Sequence, residues 1–219
     1  MPKIVDHDER RAEIIEALFR LVRRDGIHVV SVRTVAAEAG MSASALRHYF
    51  DTQDGLFAVA LQSVVDRVRA RLEPLFPVLS GRAGALTVLA QMLPLDATRR
   101  GETQVYLAFV TRAHPDRSLR RIRDHAEAES RLAIHYVVHL LDEDGALGAG
   151  RDPAAEEDRL YAVVDGLALH GAFWPRRHSP SALLAALHAH VDELAGDVRG
   201  GQRGRAARTP TAASPSAGP

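Results

Sequence analysis

Residues 34–50, TVAAEAGMSASALRHYF, decide the fold: two short apolar patterns are separated by a single glycine, Gly40. Helices shorter than about 12 residues are marginal in water, so tertiary packing must hold both of these. Ser31 and Ser42 are favourable N-caps for helices over about 32–38 and 43–50. Gly40 can adopt the positive φ that a sharp turn needs. The stretch therefore predicts a helix-turn-helix.

A longer amphipathic helix precedes this unit. Residues 8–25, DERRAEIIEALFRLVRRD, place apolar side chains at helical spacing with charges on the other side, and Gly26 follows as a cap. We expect one face of this helix to close a small core over the two short ones. The predicted core residues are Leu18, Phe19 and Val22 against Val32, Val35, Ala36, Ala45 and Leu46.

The side chains left outside this core predict a DNA-reading surface. Small residues begin the second short helix, which lets it approach another surface closely. In the DNA major groove an arginine can bond to both acceptors of a guanine, and hydroxyl groups can contact phosphates. The predicted DNA-contacting residues are Ser31, Arg33, Thr34, Ser42, Ala43, Ser44, Arg47, His48, Tyr49, Thr52 and Gln53.

The charge balance argues against a strongly basic DNA-binding domain. Residues 1–55 carry eight Lys or Arg and nine Asp or Glu, and the whole chain carries 28 of each kind. A positive face must therefore be built locally, with the acidic groups elsewhere. The alternative is a small helical bundle in which Arg47 and His48 are merely solvated.

The composition excludes several classes of protein. The chain has no cysteine, which excludes disulfides, thiol nucleophiles and cysteine-bound metals. No run of about 18 apolar residues and no signal peptide are found, so we expect a cytoplasmic protein without a membrane partner. No phosphate-binding glycine loop and no G-x-S-x-G motif is present. We therefore expect neither an enzyme nor a cofactor.

The rest of the chain reads as helical, with breakers at Pro94, Gly101 and Pro115 among others. No alternating pattern bounded by hairpin turns supports a strand, so the predicted fold class is all-α. Gly, Arg, Ala, Ser and Pro dominate residues 197–219, which predicts a disordered tail. The predicted domains are a helix-turn-helix domain over 1–55 and a larger helical domain over 56–196. The predicted helices lie at about 53–72, 82–98, 102–113, 116–143, 153–174 and 179–197.

Residues 14–57 resemble the N-terminal domain of tetracycline-repressor (TetR) family regulators. Two positions depart from the family pattern: Arg47 stands where a tyrosine is usual, and Gln53 stands where a lysine is frequent. The first departure is expected to shift base preference, and the second removes a phosphate contact. The matching residues are Phe19, Gly26, Ser31-Val32-Arg33, Val35-Ala36, Ala39-Gly40-Met41-Ser42, Leu46, His48-Tyr49-Phe50, Thr52 and Leu56.

The final third resembles the betaine-regulator (BetI-like) subgroup through Asp165-Gly166-Leu167, Trp174-Pro175 and Ser179-Pro180. The resemblance implies a C-terminal ligand-binding and dimerisation domain. It also implies a homodimer on a palindromic double-stranded operator, most simply a repressor released by a small-molecule effector. The alternative is a helical adaptor with a non-functional helix-turn-helix. Neither the operator nor the effector can be named from the sequence.

Apolar stripes on the last two helices suggest a four-helix dimer interface, since a wide stripe needs a partner. The alternative is that both stripes face the chain's own core. The predicted interface residues are Leu160, Val163, Val164, Leu167, Gly171, Leu183, Leu184, Leu187, Val191 and Leu194.

Aromatic residues of the central helices are candidates for an apolar ligand pocket. His125, Glu129, His135 and His139 also have a spacing that metals use. Such four-residue pairs are common by chance, so no metal site is predicted. The predicted ligand-binding residues are Tyr106, Phe109, Arg112, Glu129, His135, Tyr136 and Trp174.

Overall fold

The computed structural model describes residues 7–76, 79–113 and 117–196, apart from the side chains of residues 112, 113, 117 and 118. Within these ranges the chain is helical and contains no strand, so the predicted all-α class is confirmed. The predicted tail, 197–219, lies outside the described residues. The helices are α1 (His7–Asp25), α2 (Val32–Glu38), α3 (Ala43–Arg47), α4 (Gln53–Leu72), α5 (Gly81–Gln91), α6 (Ala97–Ala113), α7 (Arg117–Glu143), α8 (Pro153–Phe173) and α9 (Pro180–Ala195), with a 3₁₀ turn at Ile27–Val29.

Side-chain caps fix the starts of the short helices. The Ser31 hydroxyl accepts a hydrogen bond from the Thr34 amide, while the Thr34 hydroxyl accepts one from the Ser31 amide. Ser42 caps α3 and Thr52 caps α4 with one bond each, in which the hydroxyl accepts from the amide three residues later. The turn glycine, Gly40, has a φ of 68°. Each of these is a local feature, which is why the sequence predicted it.

Two helix boundaries between residues 91 and 102 differ from the sequence prediction. The predicted helix 82–98 is wrong at its end, because α5 ends at Gln91, before Pro94, which lacks the amide that a continuing helix needs. Gly101 is not a breaker but lies inside α6. A Cβ there would lie 3.3 Å from the Cγ of Arg23, so the glycine allows α1 to cross α6 closely.

The helix predicted over 43–50 is also shorter than expected. It ends at Arg47, and the chain then turns so that Phe50 becomes buried. The Phe50 amide donates to the Leu46 carbonyl, which holds this turn against the core.

Buried side chains form two cores. The first core joins α1, α2, α3 and most of α4 to parts of α6 and α7, and includes Phe19, Leu46, Phe57 and Phe109. The second core joins the end of α4, α5, the C-terminal half of α7, α8 and α9. Because α4 and α7 contribute to both, the helix-turn-helix is packed onto the rest of the chain. Within the described ranges, no helix has the length and hydropathy that a membrane span requires.

Candidate DNA-reading surface and ligand cavity

The helix-turn-helix presents a polar surface around α3. Its exposed side chains come from the start of α2, from α3 and from the turn after it. The exposed residues of the predicted DNA-contacting set are Arg33, Ser42, Ser44, Arg47, His48 and Thr52. The half-buried ones are Ser31, Thr34, Ala43, Tyr49 and Gln53.

Several of the half-buried residues are engaged within the protein. The Thr34 hydroxyl donates to the Val29 carbonyl at 2.8 Å. The Gln53 side-chain amide donates to the Val30 carbonyl at 2.9 Å and so ties the start of α4 to the chain entering α2. The ring centroids of Tyr49 and His7 are 4.8 Å apart. The structure therefore adds positioning roles that the sequence did not reveal.

Ion pairs neutralise two acidic groups of the N-terminal domain. Glu38 accepts from Arg20 at 3.3 Å and from Arg24 at 2.9 Å, and Glu16 pairs with Arg67. Arg33 and Arg47 are exposed, and neither forms an ion pair with any described residue. Two free guanidinium groups thus mark a locally positive surface on a domain with a formal charge of −1.

A cavity of about 620 Å³ lies among α4, α6, α7 and α8, with the end of α5 closing one side. Its wall is mainly aliphatic and aromatic. Phe76 and Tyr136 meet edge to face there, with ring centroids 4.7 Å apart. The volume lies in the range of pockets that bind drug-sized molecules. The apolar lining residues include Val64, Val65, Val68, Leu72, Met92, Ala126, Leu132, Ala133, Val164 and Ala168.

The cavity brings together four of the predicted ligand-binding residues: Tyr106, Glu129, His135 and Tyr136. Phe109 does not line it, because this ring is fully buried in the first core. Trp174 lies elsewhere at the end of α8, where 54% of the residue is exposed. The side chain of Arg112 lies outside the described set. The spacing of residues on one helix cannot tell a cavity-lining side chain from a core side chain, because this depends on which neighbouring helix covers each face.

A buried ion-pair network connects the cavity wall to α1. Glu102 is 3% exposed and accepts two hydrogen bonds from Arg71, at 3.1 and 2.8 Å. Arg67 lies 4.0 Å from the same carboxylate, pairs with Glu16 of α1 and covers the ring of Phe19 at 4.2 Å. The sequence analysis missed Glu102. The sequence does place the Glu102 carboxylate on the same helical face as Val105, Tyr106 and Phe109, and this pattern could have indicated a buried charge.

Asp165 of α8 is a second group that the sequence analysis did not assign to a site. It lines the cavity and forms no hydrogen bond or ion pair within the described ranges. The residue is exposed to solvent, although protein atoms surround part of its carboxyl group. This desolvation, with repulsion from Glu127, raises its pKa, while Arg131 opposes the rise. Burial also raises the pKa of Tyr106, whose hydroxyl interacts with that of Tyr161.

Most of the predicted dimer residues prove to be internal. The α9 stripe packs on α5 and α8 of its own chain, and a Cβ on Gly171 would lie 2.5 Å from Leu183. The fully buried side chains of the predicted interface are thus covered within their own chain, and a dimer interface on these two helices stays a prediction. The buried residues are Leu160, Val164, Gly171, Leu183, Leu187, Val191 and Leu194, and the half-buried ones are Val163, Leu167 and Leu184. The large apolar side chains that α8 exposes are instead Leu169 and Phe173, followed by Trp174.

Three of the four residues considered for a metal have other partners. His135 Nδ1 lies 2.7 Å from Glu157, and Glu129 pairs with Arg69 at 2.7 Å. Among the described residues there is no cluster of three or more His, Asp or Glu suited to a metal ion.

Comparison with known proteins agrees with this architecture. Residues 14–60 match the model of bacterial regulatory proteins of the tetR family, and residues 81–196 match that of the BetI-type transcriptional repressor C-terminal domain. The HTH-type transcriptional regulator PksA of Bacillus subtilis (strain 168) is 34% identical over 195 residues, which is 89% of this chain and 94% of PksA.

Solved structures share the fold. A transcriptional regulator from Rhodococcus sp. Rha1 superposes with a TM-score of 0.72 at 32% identity, covering 84% of this chain and 95% of its own. A Saccharomonospora viridis regulator, solved in complex with choline, has a TM-score of 0.73 at 22% identity, covering 84% and 96%. These relatives are transcriptional regulators and not enzymes. The chain therefore belongs to the TetR family of DNA-binding transcriptional regulators, with a C-terminal domain of the BetI repressor type.

Proposed function

We propose that this chain is a homodimeric repressor that binds a palindromic operator and leaves it when a small molecule occupies the α4–α8 cavity. In this proposal residues 1–55 read DNA, and residues 56–196 bind the effector and form the dimer. The observation that carries it is the path of α4. The side chain of its first residue, Gln53, donates a hydrogen bond to the Val30 carbonyl, just before α2. Its last turns line the cavity through Val68 and Leu72.

DNA reading rests on the exposed residues around α3. Arg47 offers the guanine-binding side chain, while Arg33, Ser42, Ser44 and His48 surround it. Tyr49 and Thr52 lie at the edge of this surface, suited to phosphate contacts. The engaged side chains of Ser31, Thr34 and Gln53 hold α2 and α4 in place beside it.

Coupling between the two regions runs through α4 and Glu102. A molecule entering the cavity meets Arg71, and a shift of this side chain disturbs the carboxylate that it shares with Arg67. Arg67 in turn holds α1 through Glu16. An effector that binds more tightly when α4 is shifted would favour that state. In it, the two α3 helices of the dimer would no longer match the spacing of successive major grooves, about 34 Å.

Dimer formation in this proposal uses the outer faces of α8 and α9. Leu169, Phe173 and Trp174 are exposed at one end, and a Cβ at Gly166 would meet open space. Half-buried Val163 and Leu184 lie along the same two helices. Exposed apolar patches of this kind mark association surfaces, and a twofold pair of such helices forms a closed interface. Leu169→Glu is the test: we expect a monomer by analytical ultracentrifugation.

The first experiment measures fluorescence anisotropy of labelled DNA from upstream of the chain's own gene, against a scrambled duplex at several salt concentrations. Saturable binding that survives the scrambled competitor supports a sequence-specific regulator. Equal binding to both duplexes that vanishes with salt reflects phosphate contacts alone. If an unbiased operator search also failed, the proposal would give way to a helical adaptor.

A further inference from the structure

We propose that Arg11, in the second turn of α1, is a positioning residue for DNA reading. It holds the turn that follows α3 and so fixes the direction in which Arg47 projects. This proposal rests on the proposed function, in which α3 reads the operator. Arg11 acts through the chain that it holds and not through contact with a base.

The reading helix has few anchors of its own. α3 has five residues, all of which the structure describes, and Leu46 is the one among them that is buried. A helix this short gains little stability from its own hydrogen bonds. One buried side chain also leaves the helix free to tilt and rotate about that contact. The segments at the two ends of α3 must therefore fix its direction.

Arg11 holds the segment directly after α3. Its Nη1 donates a hydrogen bond to the Tyr49 carbonyl at 3.2 Å, across 38 positions of sequence. Its guanidinium carbon lies 4.7 Å from the centroid of the Phe50 ring, a cation–π contact. Phe50 is 3% exposed and belongs to the first core. Arg11 thus fastens both residues of this turn to α1.

The position of this turn decides where the reading side chains point. Arg47 and His48 come immediately before Tyr49 in the chain, so a shift of the turn tilts the end of α3 that carries them. A helix leaves its last carbonyl groups without partners of its own, and a cation at this end is favourable. The ring of His7 contacts the Tyr49 ring and supports the same residue from the first turn of α1.

Fluorescence anisotropy of the full chain tests the proposal on the duplex that the first experiment shows to be bound specifically. Arg11→Gln should weaken binding about tenfold, because it removes a hydrogen bond from a charged donor. Arg11→Lys keeps the charge without the planar fork that reaches both the carbonyl and the ring, so it should recover part of the loss. The matched control is Arg10→Gln, which removes another half-buried arginine, one that pairs with Glu13 of α1, and should leave affinity unchanged.

Two further readouts separate positioning from other roles. The slope of log affinity against log salt concentration should stay the same in Arg11→Gln, whereas loss of a phosphate contact would reduce it by about 0.9. Discrimination at the base pair that Arg47 reads should relax in Arg11→Gln, and this effect should be much smaller in an Arg47→Ala background. A mere loss of folded protein would weaken binding to every duplex by the same factor.

Hydrogen exchange tests the turn without DNA. The amides of Tyr49 and Phe50 both donate to the Leu46 carbonyl. Arg11→Gln should speed exchange in a peptide that covers residues 43–52, because the turn opens more often. Arg10→Gln should leave exchange in this peptide unchanged.

Unchanged operator affinity in Arg11→Gln, or an equal loss in Arg10→Gln, would overturn the proposal. A loss shared equally by every duplex would overturn it too. If Arg11→Gln does not fold, Arg11→Lys carries the same comparisons. If the unmodified chain binds no duplex specifically, the proposed function fails, and exchange alone decides whether Arg11 holds the turn.

Discussion

The reading unit and the cavity region use apolar side chains in opposite ways. Around α1 to α3, residues such as Phe19, Val35 and Leu46 close on one another and exclude solvent, while free arginines point outward. Around α6 to α8, apolar side chains surround an open space that contains an unpartnered carboxylate, Asp165. The first arrangement holds the helix-turn-helix in a fixed geometry, and the second leaves a cavity large enough for a small molecule. Because α4 contributes to both cores, we propose that it carries a change from one region to the other.

The sharpest way to test this comparison uses two phenylalanines of α4 and the turn that follows it. Phe57 is 1% exposed in the first core, and Phe76 is 37% exposed at the cavity. Phe57→Ala should lower the free energy of unfolding by about 3–5 kcal/mol, because it leaves a hole in a closed core. Phe76→Ala should cost about 1 kcal/mol, because its ring already meets the cavity. Urea unfolding followed by circular dichroism measures both, and equal losses would contradict the distinction.

Glu102→Gln tests the connection between the regions. Removing this charge leaves Arg71 and Arg67 without their shared carboxylate, so we expect a loss of about 2 kcal/mol in unfolding free energy. Both arginines keep some access to water, which limits the loss. Operator affinity should change as well, since Arg67 also holds α1. The control is Glu129→Gln, a more exposed pair worth about 0.5 kcal/mol, which should leave operator affinity unchanged.

Arg47→Ala tests the reading surface alone. Operator binding should weaken by about 1–3 kcal/mol and discrimination at one base pair should relax, while stability stays the same. Arg176→Ala removes another exposed arginine, after α8, and serves as the control. Anisotropy titrations on operator variants provide the measurement. If Arg47→Ala bound every sequence as the unmodified chain does, the reading helix would be misassigned.

Asp165→Asn has the smallest expected effect, and its sign is opposite to the others. The folded state raises the pKa of this carboxyl, so the folded protein holds the proton more tightly than the unfolded chain. Stability therefore falls as pH rises through the acidic range in which the carboxyl ionises, with Tyr106, Glu127, Arg131 and Tyr161 nearby.

The variant should remove that pH dependence and gain a fraction of a kcal/mol at neutral pH, since water in the cavity screens the charge. Thermal unfolding across this range, with Asp142→Asn beside it, is the measurement. A destabilised Asp165→Asn would mean that the carboxylate has a partner after all.

Sequence prediction succeeded where the deciding contacts are local. The starts of α2, α3 and α4 follow from Ser31, Ser42 and Thr52, each of which bonds to an amide three residues later. It failed between residues 91 and 102. The predicted helix 82–98 ends at Gln91, before Pro94, and Gly101, predicted as a breaker, lies inside α6 where α1 crosses it. A glycine's role depends on the neighbour that it meets, and that neighbour, α1, is distant in sequence.

The sequence by itself determined the helical class, the capped helix-turn-helix and the family, because these depend on spacing within about 45 residues and on caps that act within one turn. Only the tertiary structure decided which apolar stripe faces inward. Leu183, Leu187 and Val191 would look the same whether α5 of the same chain or a second subunit covered them. It alone also placed Glu102 between two arginines and left Asp165 unpartnered in the cavity. Burial and pairing are properties of the surfaces that meet, and a helical pattern specifies one surface at a time.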